Sequence, residues 1–265
     1  VSSQTRAMDP NAPQPSIPAA TVIVFRRAPS GGPPQILMVT RSNAMRFAGG
    51  MAVFPGGRVD EADRQLAETF DHAFDNEEAA HRIAAVRETL EEAGLVIGIR
   101  EVPSDSEARR ARALLLERGE LAPVLAAMQW TLDLDALVPF ARWHPRNERL
   151  PRIFDTRFYL ADLGTGAVEL EIDATENTHL FWTSAADALD AAERGEVDLI
   201  FPTRRNLERL AIFPDFAAAR AQAQATPVQT ISPWMEERDG EPWLMIPADA
   251  GYPVCGERLS TVARA

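Results

Sequence analysis

Residues 87–95, RETLEEAGL, place three glutamates within five positions of a segment with helical periodicity. At about 100° per residue, Glu88, Glu91 and Glu92 fall within roughly 100° of one another, because side chains three and four apart share a face. Ala79, Ile83, Val86 and Leu90 fall on the opposite side. The pattern predicts a helix with an apolar face turned to a core and an acidic face turned elsewhere, ended by Gly94. Like charges at this spacing repel, and the last turn of a helix favours cations over carboxylates. Each penalty is only about 0.2–0.5 kcal/mol, which a solvated face tolerates. Clustered carboxylate oxygens are also what hard Mg²⁺ or Mn²⁺ ions prefer. Taken alone, the nonapeptide fits both an exposed acidic face and a cation platform.

The rest of the chain narrows the chemistry. Its 265 residues allow one large domain or two small ones with a sizeable core, and the composition is that of a soluble globular protein. No apolar run has the length of a membrane span, and residues 1–20 lack the apolar stretch of a signal peptide, so a cytoplasmic protein is expected. Cys255 is the single cysteine, which excludes an intramolecular disulfide and a multi-thiolate zinc site. The formal charge of −12 argues against nucleic acid or an anionic membrane as partner. A phosphate-bearing ligand must then be met by local cations or by metal. All 27 basic residues are arginine, which excludes lysine Schiff-base chemistry and the Gly-Lys-Ser/Thr phosphate loop. The four histidines lack H-E-x-x-H spacing and no serine sits in G-x-S-x-G, so zinc-protease and serine-hydrolase readings lose support.

Residues 1–18, with four prolines, are expected as a disordered tail, followed by a single domain over 19–265. Strands are predicted at 21–25, 35–40 and 51–54, bounded by Gly, Pro or Ser, and again at 95–99, 136–143 and 152–163. A helical insertion is expected over about 104–128, with Ser104 and Glu107 as a capping box and Pro123 dividing it. Its "ALLLE" and "LAPVLAAM" are more apolar than an exposed connector needs. The segment is therefore expected over the sheet, against a second subunit in a homodimer, or as an extra core helix. Helices are predicted from Ser184 to Glu193 and after Pro202, then a C-terminal extension over about 205–265 whose Asp239-Gly240 turns a hairpin. Strands mixed with helices predict an α/β protein, a sheet covered by helices on both faces.

Upstream of the glutamates lies "FPGGRVDEAD". Gly57, Arg87, Glu88, Glu91, Glu92, Gly94 and Leu95 together resemble the Nudix box, G-x5-E-x7-R-E-U-x-E-E-x-G-U, in which U is a bulky aliphatic residue. Thr89 replaces one U. An uninterrupted box would place its arginine at position 71, so 16 residues split the glycine loop from the helix. Asp63 sits at the undisturbed spacing of the first box glutamate and Ala79 at the spacing counted back from Arg87, so that role is assigned to neither. Before the box, Arg41, Ser42, Arg46, Gly50 and Phe54-Pro55-Gly56-Gly57 resemble the signature of Nudix hydrolases of coenzyme A, with Met38 and Val39 replacing a Leu and a Thr. "PRIFDTRFYLA", "ENTHLFW" and the interrupted box are similar to the branch that includes the peroxisomal coenzyme A diphosphatases.

The resemblance implies a Nudix α/β/α sandwich with a mixed sheet. It implies a hydrolase that needs Mg²⁺ or Mn²⁺ and cleaves a diphosphate linked to a second group. The implied metal ligands are Glu88, Glu91, Glu92 and Glu176, which lies six residues before Trp182, with the Gly56 carbonyl. Arg87 would orient the carboxylates, and the general base is Glu88 or Glu176. Arg41, Arg46, Gly50 and Gly57 would meet the substrate. Two arginines five apart beside a glycine-rich turn can bind phosphates, and can equally pair with surface acids. The expected substrate is coenzyme A or an acyl-coenzyme A, cleaved to adenosine 3′,5′-bisphosphate and (acyl-)phosphopantetheine. Another diphosphate (NADH, ADP-ribose or a nucleotide sugar) and a non-catalytic nucleotide-binding module are the alternatives.

Overall fold

The computed structural model describes residues 16–41, 50–145, 152–164 and 177–262, with Arg41, Asn177 and Thr178 entering through their backbone alone. The long strands β1 (Ser16–Arg26), β2 (Gln35–Arg41), β5 (Val138–Trp143) and β6 (Ile153–Asp162) build the centre of a mixed sheet. Short β3 (Ala52–Val53), β4 (Gly56–Arg58) and β8 (Thr230–Ile231) join it, as does β7 (Asn177–Thr183). The order is β3-β2-β1-β6-β5-β8, with β4 paired to β1 and β7 to β2. β1–β6 and β5–β8 are parallel, and the other pairs in this sheet are antiparallel.

Alternation in the strands divides the core in two, because successive side chains leave opposite faces. Val22, Val24, Leu37 and Val39 face α1 (Glu61–Ala67), α2 (Asn76–Ala93), α3 (Asp105–Arg118) and α4 (Leu121–Met128). Ile23, Phe25, Ile36 and Met38 face α5 (Ala185–Glu193), α6 (Phe201–Leu210) and α7 (Phe216–Ala225). The result is the expected α/β/α sandwich. β9 (Trp234–Arg238), β10 (Glu241–Met245) and β11 (Gly256–Arg258) form a separate three-stranded sheet. Asp239 and Gly240, both at positive φ, turn the β9–β10 hairpin as predicted.

Three expectations are corrected. Ser16–Pro18, assigned to the tail, begin β1 and pair with β6; the rest of the tail lies outside the described residues. Residues 95–99 form no strand beyond a lone Ile99–Leu132 bridge, because Gly98 takes positive φ and its carbonyl accepts from Asp133 N. The insertion is divided by Gly119, the left-handed C-cap of α3, and not by Pro123. Pro123 sits in the first turn of α4, where a missing N–H costs nothing. β4, β7, β11, α1 and α7 were not anticipated as elements.

The insertion packs as core. Ala111, Leu115, Leu121 and Val124 are buried in the same cluster as Ile83 and Leu90 of α2. The other half of α2 is fixed by a buried arginine. Arg82 Nη1 donates to the carbonyls of Leu134 and Leu137 at 2.6 and 2.7 Å, and Nε to Glu78 at 2.8 Å. Its guanidinium lies over the Phe74 ring, 3.9 Å from the centroid. Glu78 also pairs with Arg157 and accepts from the Tyr159 hydroxyl on β6. Arg82→Ala would orphan two buried carbonyls and one side of Glu78, so a loss of roughly 3–5 kcal/mol is expected in urea unfolding. Arg82→Lys, lacking the fork, is expected to recover less than half of that loss.

Candidate active site

α2 starts at Asp75, whose side chain accepts from Glu78 N, and stops at Gly94 in the left-handed conformation. That fixes which residues form its last two turns. Arg87 is there, only 3% exposed, and its guanidinium is surrounded by acceptors. Nε donates to Asp63 Oδ1 at 3.0 Å and Nη2 to Asp63 Oδ2 at 2.9 Å, a bidentate pair. Nη2 also reaches the Arg58 carbonyl at 2.9 Å, while Nη1 reaches Glu88 Oε1 at 2.9 Å and Glu91 Oε2 at 3.5 Å. Although burial opposes its charge, the hydrogen bonds and charges of Asp63, Glu88 and Asp60 hold Arg87 above its ordinary pKa. Asp63 is itself buried and accepts from Asp60 N as part of the α1 capping box.

Asp63, at the undisturbed spacing of the first box glutamate, is therefore the carboxylate that pairs with Arg87. Its undisturbed spacing from Gly57 was the available signal. The 16 inserted residues end α1 and run to the start of α2, so they loop out without breaking the pair.

The three predicted glutamates occupy one end of this arrangement. Glu88 lies directly against Gly57: a Cβ on Gly57 would collide with both carboxylate oxygens of Glu88. Burial pushes Glu88 up to about 8, with Arg87 opposing the shift and Glu92 and Glu91 reinforcing it. Glu92, also buried, accepts at Oε2 from Gly56 N at 3.0 Å. A side chain at Gly56 would strike the backbone of Ala20 and Thr21 on β1, so the two glycines admit α2 to the strand edge for separate reasons. Arg112 of the insertion donates from Nε to the Glu91 carbonyl at 2.9 Å, meeting an acceptor in the last turn of α2.

The structure thus brings together Gly56, Gly57, Arg87, Glu88, Glu91 and Glu92. Gly50 forms a positive-φ turn before β3, and the Arg41 backbone pairs with Asn177 on β7. Arg46 and Glu176 lie outside the described residues. Among the described residues, no three His, Cys, Asp or Glu side chains converge as they stand on one ion-sized point. The donor set still suits a hard divalent cation. Two of the three glutamates, Glu88 and Glu91, share Arg87, and burial together with the charges of Glu92 and Glu91 disfavours the Glu88 carboxylate, a cost that such a cation relieves.

This combination, a helix presenting clustered carboxylates to a glycine strand edge inside an α/β/α sandwich, defines a phosphoanhydride-hydrolase class of site. The chain belongs to the Nudix hydrolase family. It is 30% identical to a solved NUDIX hydrolase from Alicyclobacillus acidocaldarius, with a TM-score of 0.68 over 79% of this chain and 97% of that one. Human acyl-coenzyme A diphosphatase NUDT19 is 25% identical over 83% of this chain and 72% of its own length. A Caenorhabditis elegans protein carrying the nudix hydrolase name is 27% identical over 69% of this chain. The chain spans 57% of that worm protein's length. No family model matches the chain.

The glycine strand edge generates a double-mutant test. Gly57→Ala is expected to displace the Glu88 carboxylate and lower stability by roughly 1–3 kcal/mol, as overpacking does. Adding Glu88→Ala removes the obstructing group, so denaturant unfolding of the double variant should recover most of that loss. Additive losses would show that Glu88 and Gly57 do not meet.

Proposed function

We propose that this protein is a divalent-metal-dependent hydrolase of nucleoside diphosphates linked to a second group, with coenzyme A or an acyl-coenzyme A as preferred substrate. The products would be adenosine 3′,5′-bisphosphate and (acyl-)phosphopantetheine. The observation that carries the reading is the placement of Glu88 and Glu92 against Gly57 and Gly56, with Arg87 locked to Asp63 behind them. The likeness to human acyl-coenzyme A diphosphatase supports the substrate choice.

Glu88, Glu91 and Glu92, joined by the Gly56 carbonyl and Glu176, are the groups that would hold Mg²⁺ or Mn²⁺. When bound, such an ion neutralises diphosphate charge and lowers the pKa of water. The protein's own contribution is preorganisation. Arg87 spends its donors on Asp63, the Arg58 carbonyl, Glu88 and Glu91, so the carboxylates are held without a substrate present. Either Glu88 or Glu176 would accept the proton of the attacking water. Arg41 and Arg46 would meet phosphate oxygens, placing local cations in a chain whose formal charge is −12.

The test is phosphate-ester release from a panel of coenzyme A, acyl-coenzyme A, NADH, ADP-ribose and a nucleotide sugar, with and without Mg²⁺ or Mn²⁺. Coenzyme A is expected to give the highest kcat/KM, and chelation to abolish turnover. Preference for another member removes the coenzyme A reading, and turnover of none removes the enzymatic one.

Three variants refine the assignment. Glu91→Gln and Glu92→Gln should each lower kcat by at least ~100-fold with the melting temperature unchanged or raised, since charge but not bulk is lost. Normal turnover by either at limiting Mg²⁺ would remove it from the metal set. Arg46→Ala should lower kcat/KM for coenzyme A about 10- to 150-fold, the equivalent of ~1.5–3 kcal/mol for a charged hydrogen bond. It should affect dephospho-coenzyme A, which lacks the 3′-phosphate, much less; equal losses would assign Arg46 to the diphosphate or the fold.

A further inference from the structure

The three-stranded sheet of the C-terminal extension ends in an edge strand. β9 pairs with β10, and among the described residues its outer side meets no other strand. The hairpin fixes which backbone groups face that side. Arg238 and Glu241 close the two-residue turn, so residues 234, 236 and 238 direct their N–H and C=O groups to β10, while Met235 and Glu237 direct theirs outward. The bonds to β11 agree with this alternation. Leu259 N donates to the Pro242 carbonyl at 2.8 Å and Ile246 N to the Cys255 carbonyl at 2.9 Å, so even-numbered residues here aim at β11 and odd-numbered ones at β9.

Apolar surface gathers around the same edge. Trp234 is 42% and Met235 53% exposed, and Val228, Val254 and Leu259 are exposed within the same segment. Among the described residues, the other exposed large apolar side chains are Val102, Leu116 and Ile212, scattered over the rest of the chain. A strand edge flanked by exposed apolar side chains is a template for a further strand. The charges that share a face with Trp234 do not guard it, because they are paired with each other: Arg238 Nε donates to Glu236 Oε1 at 2.9 Å, and Trp234 Nε1 to Glu236 Oε2 at 3.3 Å.

We propose that β9 pairs with β9 of a second copy of this chain, antiparallel about a two-fold axis at Glu236, so that two three-stranded sheets become one of six strands. In that register Met235 exchanges both of its backbone bonds with Glu237 of the second copy, and every outward group of the two residues is used. A slip of two residues sets Pro233, which has no N–H, or Asp239, which lies in the turn, opposite an outward pair. The side chains favour a second copy over a foreign strand. Trp234 comes to lie opposite Arg238 of the second copy, a ring facing a guanidinium, and each central Glu236 stays beside the cation of its own Arg238. Leu244 on β10 packs against the core cluster of α5, α6 and α7, so the interface lies on the layer opposite α2. The pairing is separate from the diphosphate chemistry and stands whether or not coenzyme A is the substrate.

Sedimentation equilibrium of the 265-residue chain over a range of concentrations is expected to show a reversible monomer–dimer equilibrium. Glu237→Pro removes an outward N–H and leaves the bonds to β10 in place. It should weaken dimerisation about 10- to 100-fold, the loss of one backbone bond per chain, with the melting temperature little changed. Glu236→Cys, in a Cys255→Ser background, brings two thiols together at the axis, with Cα atoms about 4.5 Å apart, and should form an intermolecular disulfide on mild oxidation. Arg238→Cys in the same background, roughly 14 Å from its own copy, should not. A wild-type chain that stays monomeric over the whole range overturns the proposal. So does a dimer that Glu237→Pro leaves at full strength, or one in which Glu236→Cys cross-links no better than Arg238→Cys. The cysteine variants decide the matter if Glu237→Pro does not fold.

Discussion

The site depends on one buried cation shared among several acceptors. Arg87 cannot give up its charge, and its planar fork offers five donors in fixed directions. One edge is taken by Asp63, on a helix that precedes the inserted residues, and the other by Glu88 and Glu91 within α2 itself. The guanidinium thus fastens α1 to α2 across the interruption and divides attraction among carboxylates that would otherwise repel. Removing charge from Glu91 or Glu92 relaxes the repulsion, whereas removing Asp63 would leave a buried cation short of its principal partner. The inserted residues are tolerable because the two box halves are rejoined by geometry and not by sequence spacing.

How much of this could be read from residues alone follows from the range of each interaction. The glutamate face, the Gly94 stop and the Ser104 capping box are local, and periodicity or a three-residue spacing exposes them. The strands of the central sheet were legible because both faces are covered, which produces continuous apolar runs. Residues 95–99 carry the same composition yet form no strand, since composition does not report the positive φ of Gly98. Asp63 was ambiguous because its meaning rests on a partner 24 residues away across an insertion of arbitrary length. Arg82 was invisible: carbonyls at 134 and 137 leave no mark in the sequence.

The absence of lysine has a structural counterpart. Arg82, Arg87, Arg112, Arg205 and Arg209 are all buried, and each donates to at least one backbone carbonyl. An ammonium group is compact and strongly hydrated, and cannot serve a carbonyl and a carboxylate in one plane. Arginine here works as an internal connector between layers. Its use in the interior does not bear on the acidic balance of the surface, which is why net charge alone says little about how phosphate is met.

The pairing of β1 with β6 joins residues that stand 137 positions apart in the sequence, over ten consecutive partners from Ser16–Ile153 to Phe25–Asp162. Until β6 has left the ribosome, the central strand has only its hairpin-like neighbours β2 and β4 to pair with, and the other edge is a bare apolar template. Ordering must therefore wait on a distant segment, and the high contact order predicts slow folding compared with a helical protein of equal length. During synthesis the α1–α4 layer is complete well before β6, so it can shelter one face of the nascent sheet but not the open edge of β1. That edge is where chaperone binding or misassembly would begin.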